Sequence, residues 1–239
     1  MVQKVNVAAC ILGASLVVGL LGAGWIVNTT ANQLKAYERN VTVKGLAERE
    51  VMANVAIWPI QFVVASNQLE QLYEEVEANT DKVKAFLEDN GIKQEEITIS
   101  PPAIVDKIAQ QYGGSGRAEF RYNANQQVTV YTHNIEMVRD AQAKLSNLGK
   151  QGVVLSGDMY QTRTEYLYTD LNLIKPAMIE QATENAREVG EKFALDSDSR
   201  LGKIKQASQG QFSISDRDQN NPHIKNVRVV STVTYYLVD

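Results

Sequence analysis

From Val41 to Ser66 the chain is rich in β-branched and aromatic residues, and this pattern predicts two strands. Pro59 lies inside the second and implies an edge position or a bulge, because proline has no N–H for a sheet ladder. The period then changes. Leu69, Leu72, Tyr73, Val76, Val83, Phe86 and Leu87 recur at helical spacing. Asn67 with Glu70 forms a capping pair at the start of this helix, and Asn90-Gly91 stops it. The opposite face, with Glu70, Glu74, Glu77, Asp81 and Glu88, reads as a solvated surface.

Residues 95–108 and 117–133 predict two further strands around the loop 109–117. Asn134 caps a second helix with Ile135, Val138, Leu145 and Leu148 on its inner stripe, closed by Gly149. A strand follows over 157–170. Pro176 suits the first turn of a third helix, where its missing N–H costs nothing. Ala182, Ala186, Val189 and Phe193 form the inward stripe of that helix. Ala182, Ala186 and Gly190 are small enough to bring it close to a sheet. Strands over 201–214 and 226–239 complete the order ββαββαβαββ. The fold class is α+β, a mainly antiparallel sheet packed with about three helices.

Ahead of this domain, Val5 to Val27 is a run of 23 residues without a charge. As a helix it is about 35 Å long, enough for a hydrocarbon core of about 30 Å. Secretory signals have shorter apolar regions of about 7–15 residues, and Ala23-Gly24-Trp25 and Thr30-Ala31-Asn32 are mediocre cleavage sites. Val7-Ala8-Ala9-Cys10 is similar to a lipoprotein box, but most of the apolar run follows Cys10, which argues against lipidation. The expected layout is a tail at 1–4, a transmembrane anchor at 5–27, a polar linker at 28–40 and a folded domain at 41–239. Ser15, Gly19 and Ala23 recur every four residues and form a small-residue face for helix packing in lipid. Lys35, Arg39, Lys44 and Arg49 follow the run and only Lys4 precedes it. That count loses force for long domains, so the expectation is a single-pass inner-membrane protein with its C-terminal domain in the periplasm or outside the cell.

Charge and chemistry narrow the function. A net charge of −4 with no basic stripe argues against nucleic acid. Cys10 is the only cysteine, so residues 41–239 have no disulfide or thiol nucleophile. The 113–117 stretch, Gly-Gly-Ser-Gly-Arg, lacks the Lys-Ser/Thr of a phosphate loop. Asp216, Asp218 and Asn220 begin like a calcium loop, but Asn221 stands where Gly is needed and Val227 where the bidentate Glu belongs. The 196–202 segment fails similarly at Leu201. His133 and His223 are the only imidazoles and do not have zinc-ligand spacing. Tyr160, Tyr166 and Tyr168 share one strand face at even spacing, as in core or interface packing. No catalytic residue, cofactor or metal is expected.

Four stretches carry a resemblance. Residues 41–58 (VTVKGLAEREVMANVAIW), 76–99 (VEANTDKVKAFLEDNGIKQEEITI), 128–149 (VTVYTHNIEMVRDAQAKLSNLG) and 178–208 (MIEQATENAREVGEKFALDSDSRLGKIKQAS) resemble the SIMPL-domain family of bacterial envelope proteins. Ala53-Asn54 stands where that family usually has Pro-Asp. The resemblance implies an extracytoplasmic α+β domain that self-associates, in some relatives into ring- or channel-like assemblies, and that is linked to oxidative-stress tolerance. It carries over no catalytic residues. The function expected is a non-enzymatic, membrane-anchored homo-oligomeric scaffold with an indirect role in stress tolerance. Val229, Val233 and Tyr235 on the last strand are expected to form its oligomer edge. The alternative is a ligand-binding or carboxylate-based hydrolytic domain.

Overall fold

The computed structural model describes residues 13, 16–25, 39–109, 119–156 and 163–239. Helix α1 covers 16–25. It is followed by β1 (Asn40–Met52), β2 (Val55–Ser66), α2 (Leu69–Asp89), a 3-10 turn at Gln94–Glu96, β3 (Ile97–Ile99), β4 (Ala103–Asp106) and β5 (Tyr122–Thr132). Then come α3 (Ile135–Ala143), α4 (Ser146–Lys150), β6 (Val154–Leu155), β7 (Glu165–Leu167), α5 (Leu171–Asp196), β8 (Arg200–Gln209), β9 (Ser213–Asp216) and β10 (Ile224–Val238). The fold is α+β; β8 pairs antiparallel with β10, and so do β2 with β5, β6 and β7, and β5 with β3 and β4. Two compact units emerge, residues 1–49, 174–213 and 228–239 in the first, 50–173 and 214–227 in the second.

The first unit is built on a sheet of order β1-β10-β8. β8 runs antiparallel to β10 from Ser231↔Gln209 to Val238↔Arg200, with register shifts around Tyr235. Alternation along β1 turns Val43, Gly45 and Ala47 inward, and α5 packs on them. Ala182, Ala186 and Gly190 are buried as their small size predicts. Gly45 meets the backbone at Ala182 and Ala186, and Gly190 faces Leu201 and Tyr235. Phe193, expected inward, is exposed. α5 starts five residues before Pro176, so the proline lies inside the helix rather than in its first turn. The helix ends at Asp196, and Asp198 two residues on has a left-handed φ of 52°. Its N–H donates to the Leu195 carbonyl, and that of Ser199 to the Ala194 carbonyl. The 196–202 segment is therefore a helix stop.

Val229, Val233 and Tyr235 do not form an edge. β10 lies between β1 and β8, and each of the three residues is only 1 % exposed. Alternation reveals which face of a strand is buried, but it is silent on the strand's place in the sheet. Among the described residues the outer strands of this sheet are β1 and β8.

The second unit holds a sheet of order β3-β5-β2-β6, with β4 on β5 and β7 on β2. β2 and β5 pair without a break from Ala56↔Thr132 to Ser66↔Tyr122. Pro59 therefore marks neither a bulge nor an outer edge. On its other side β2 meets β7 at 55–57 and β6 at 62–63, so the proline falls in the gap between two short strands. Leu72, Val76, Val83, Phe86 and Leu87 of α2 join Val138 and Leu148 to cover Trp58, Ile60 and Phe62 of β2. The acidic face of α2 is exposed, as are Leu69 and Tyr73.

Caps and stops explain the remaining departures. Asn67 does not cap α2; its side chain bridges Glu119 O and Arg121 N, and Gln68 is the N-cap residue. Gly91 ends α2 at φ +87°, as predicted. Asn134 caps α3, its Oδ1 accepting from Met137 N at 3.1 Å. The predicted second helix divides into α3 and α4. Gly149 lies within α4, and Gly152 at φ +86° follows the end.

α1 is exposed along its length, and nothing lies within 4 Å of a Cβ placed on Gly19. Ser15, Cys10 and most of the 5–27 run and the 28–40 linker lie outside the described residues. Among the described residues no helix is long and apolar enough to cross a membrane.

Candidate functional site

Helix α3 projects Glu136, Arg139, Asp140 and Ala143 from one face, since i, i+3, i+4 and i+7 align on a helix. In the second unit this face forms a cleft of about 830 Å³ with Arg163, Thr164 and Tyr166 around β7 and with the 219–223 turn. Tyr166 and His223 are both nearly buried, and their rings meet edge to face at 6.1 Å. Gln142 ties the walls together, donating to Thr164 Oγ1 at 2.5 Å and accepting from the Tyr166 hydroxyl at 3.3 Å.

Charges are arranged around this floor. Arg163 donates to Asp216 Oδ2 at 3.1 Å, and the other oxygen of Asp216 is bound by the buried Lys225 ammonium. Asp218 accepts from Arg217 Nε at 2.9 Å and from the backbone N–H groups of Asn220 and Asn221. The sequence that begins like a calcium loop is thus a turn closed by its own aspartate. Burial pushes the Tyr166 phenol up, while Arg139 and the Gln142 hydrogen bond pull it back. Burial holds His223 below the usual imidazole value; Arg139 and Arg217 push it further down, and Asp218 opposes them.

A pH dependence follows. Well above about pH 6.5 His223 is neutral in both folded and unfolded chains. Below that, the unfolded chain takes up the proton first and stability falls. Asp106 and Asp218, held down by Arg121 and Arg217, act only at lower pH. The urea midpoint of the wild type should drop between about pH 7.5 and about pH 5.5, and that of His223→Gln should drop less. Equal drops would show that His223 contributes nothing in this window.

The other residues singled out by sequence are dispersed. His133 follows β5 and does not line this cleft; its Nδ1 pairs with Asn54 O at 2.9 Å and its ring meets Tyr131 edge to face. Tyr168 donates to Asp170 O, and Tyr160 and the glycine-rich 113–116 stretch lie outside the described residues. Among the described residues no three His, Cys, Asp or Glu side chains are grouped to hold a metal ion. Sequence reasoning missed Arg139, Arg163 and Lys225, because lone basic residues in three separate segments give no motif.

The second candidate feature is a surface. Among the described residues β8 pairs only with β10, and from Lys203 to Gln209 its side chains are exposed on both faces. Gly210 N donates back to Val230 O at 2.8 Å, so by strand alternation the amides of Ala207 and Gln209 point away from β10. On β1 the opposite edge is partly covered where Asn185 Nδ2 of α5 donates to Leu46 O at 2.7 Å.

No curated protein matches the chain. The family described as "SIMPL: Protein of unknown function (DUF541)" matches residues 41–234, nearly all of the two-unit fold. The chain belongs to the SIMPL family.

Proposed function

We propose that this protein is a non-enzymatic scaffold of the bacterial cell envelope that self-associates through the free edges of its first sheet. The observation that carries the reading is β8, a ten-residue strand that among the described residues is paired on one side only and is exposed on both faces from Lys203 to Gln209. An unpaired edge is a template for another strand, which proteins either blunt or use. Lys203 and Lys205 discourage indiscriminate pairing. β1 is the opposite edge of the same sheet, so pairing β8 of one copy with β1 of the next is head-to-tail. Such contacts close into rings when the rotation permits. The uncharged run at 5–27 would tether the copies to the inner membrane with the domain outside it, raising their effective concentration. Any part in stress tolerance would be indirect, because residues 41–239 contain no thiol for peroxide chemistry.

Light scattering of the full-length protein in mild detergent should report a discrete homo-oligomer. Ala207→Pro removes one outward amide and leaves the ladder to β10 intact, so it should weaken association by about tenfold or more. Ala207→Ser should assemble like the wild type. A wild type that stays monomeric across a wide concentration range sinks the proposal.

A further inference from the structure

We propose that the cleft between α3, the 163–166 segment and the 219–223 turn is a binding site for a small oxyanion, a carboxylate or phosphate group held between Arg139 and Arg163. This inference is independent of self-association, since all the residues it uses belong to the second unit.

Size is the first support. At about 830 Å³ the cleft lies within the range of about 300–1,000 Å³ typical of small-molecule sites. Charge is the second. Asp216 offers one negative charge to two cations, Arg163 and Lys225, so this cluster keeps a net positive charge. Arg139 makes no ion pair among the described residues, although Glu136 and Asp140 stand close by on the same helix. A guanidinium with no carboxylate partner has its full donor fork available.

The direction of the field is the third support. Arg139 acts on both Tyr166 and His223, and Arg217 adds to its effect on His223. Asp218 opposes them, and its carboxylate is already engaged by Arg217. Arg139 and Arg217 thus put positive potential at the floor, while the two exposed carboxylates on α3 disfavour a polyanion. The occupant is therefore a small molecule with one oxyanion group, and the thin apolar lining leaves little room for a greasy tail. Thr164 and Asn220 supply neutral donors beside the arginines. Paired guanidinium–oxyanion bonds are the strong, directional kind that such a clamp needs.

Two probes separate the sources of this chemistry, inorganic phosphate and succinate. Each is titrated into full-length protein in mild detergent at low ionic strength, followed by calorimetry and by the His223 ring signals in NMR spectra. Saturable binding of at least one probe is expected, with phosphate preferred if the natural group is tetrahedral and succinate if it is planar. Arg139→Gln and Arg163→Gln should each weaken it about tenfold, and Arg139→Lys should lose less. Lys84 on α2 pairs there with Asp81 and does not line the cleft, so Lys84→Gln should change nothing. A bound anion must also raise the pKa of His223, which a merely structural role for the arginines would not do. Both arginines are exposed, so the variants should keep the wild-type melting profile; Arg139→Lys preserves the charge should the glutamine variant not fold. The absence of saturable binding of either probe at about 10 mM would overturn the proposal. So would binding that both glutamine variants leave unchanged, because that is nonspecific screening of charge.

Discussion

Gly45→Ala should strongly destabilise the first unit. A Cβ at this position would lie under 3.0 Å from Ala182 O, Ala186 N and Ala186 Cβ. Two of these atoms belong to the backbone of α5, so no change of rotamer relieves the clash. The helix must lift from β1, which uncovers Val43, Val233 and Tyr235 at the same time. Ordinary overpacking costs about 1–3 kcal/mol; a backbone collision beneath a 26-residue helix should cost at least about 3 kcal/mol. That is a large part of the roughly 5–15 kcal/mol that holds a protein folded. Gly149→Ala is the control. It sits in α4 with nothing within 4 Å of its added methyl, so it should be neutral or stabilising by up to about 1 kcal/mol. Urea denaturation followed by circular dichroism measures both. A Gly45→Ala protein as stable as the wild type would mean that α5 does not rest on β1.

The second large effect is an asymmetry at Asp216. Its carboxylate joins Arg163 to Lys225, and the Lys225 side chain is only 8 % exposed. Asp216→Asn removes the counter-charge and leaves a buried ammonium facing an amide. Removing one partner of a buried pair costs about 3–5 kcal/mol; Asp216 is a third exposed, so about 2–3 kcal/mol is expected. Lys225→Met does the reverse, because Asp216 keeps Arg163 and the methionine fills a similar volume. That change should cost about 1 kcal/mol or less. If the two variants were equally destabilised, the ion pair would matter less than the shape of the side chains around it.

Helical periodicity was informative where one face of an element decides everything. Leu72, Val76, Val83, Phe86 and Leu87 line the inner face of α2 as their spacing implies, and Ala182, Ala186 and Gly190 bring α5 close to its sheet. Small residues signal close approach because nothing else fits, so the reading is local. Edge and centre are not local. The alternation of Val229, Val233 and Tyr235 fits an interior strand and an edge strand equally well, and only the partners on either side distinguish them. The same limit applies to Pro59, whose missing N–H is excused by a gap between β6 and β7 that no stretch of β2 announces. The short strands β3, β4, β6, β7 and β9 each have four residues or fewer, too little sequence for a period of two to show. The cleft was illegible for a related reason. Arg139, Arg163 and His223 acquire meaning together only when a helix, a short strand and a turn converge.

The order in which the strands enter their sheets has a consequence for biosynthesis. Every strand of the sheet in the second unit lies between Val55 and Leu167, so a chain made from its N-terminus can complete that sheet early. The first sheet is different. Its central strand, β10, is the last to be made, and β1 and β8 have no partner in that sheet until it arrives. Roughly 70 residues separate Leu167 from Val238, a delay of about 4–14 s at a synthesis rate of about 5–20 residues per second. During that interval β1 has no partner in its sheet. The edges of β1 and β8 that face the centre of the sheet are thus open until β10 emerges, and this single fifteen-residue strand closes both at once.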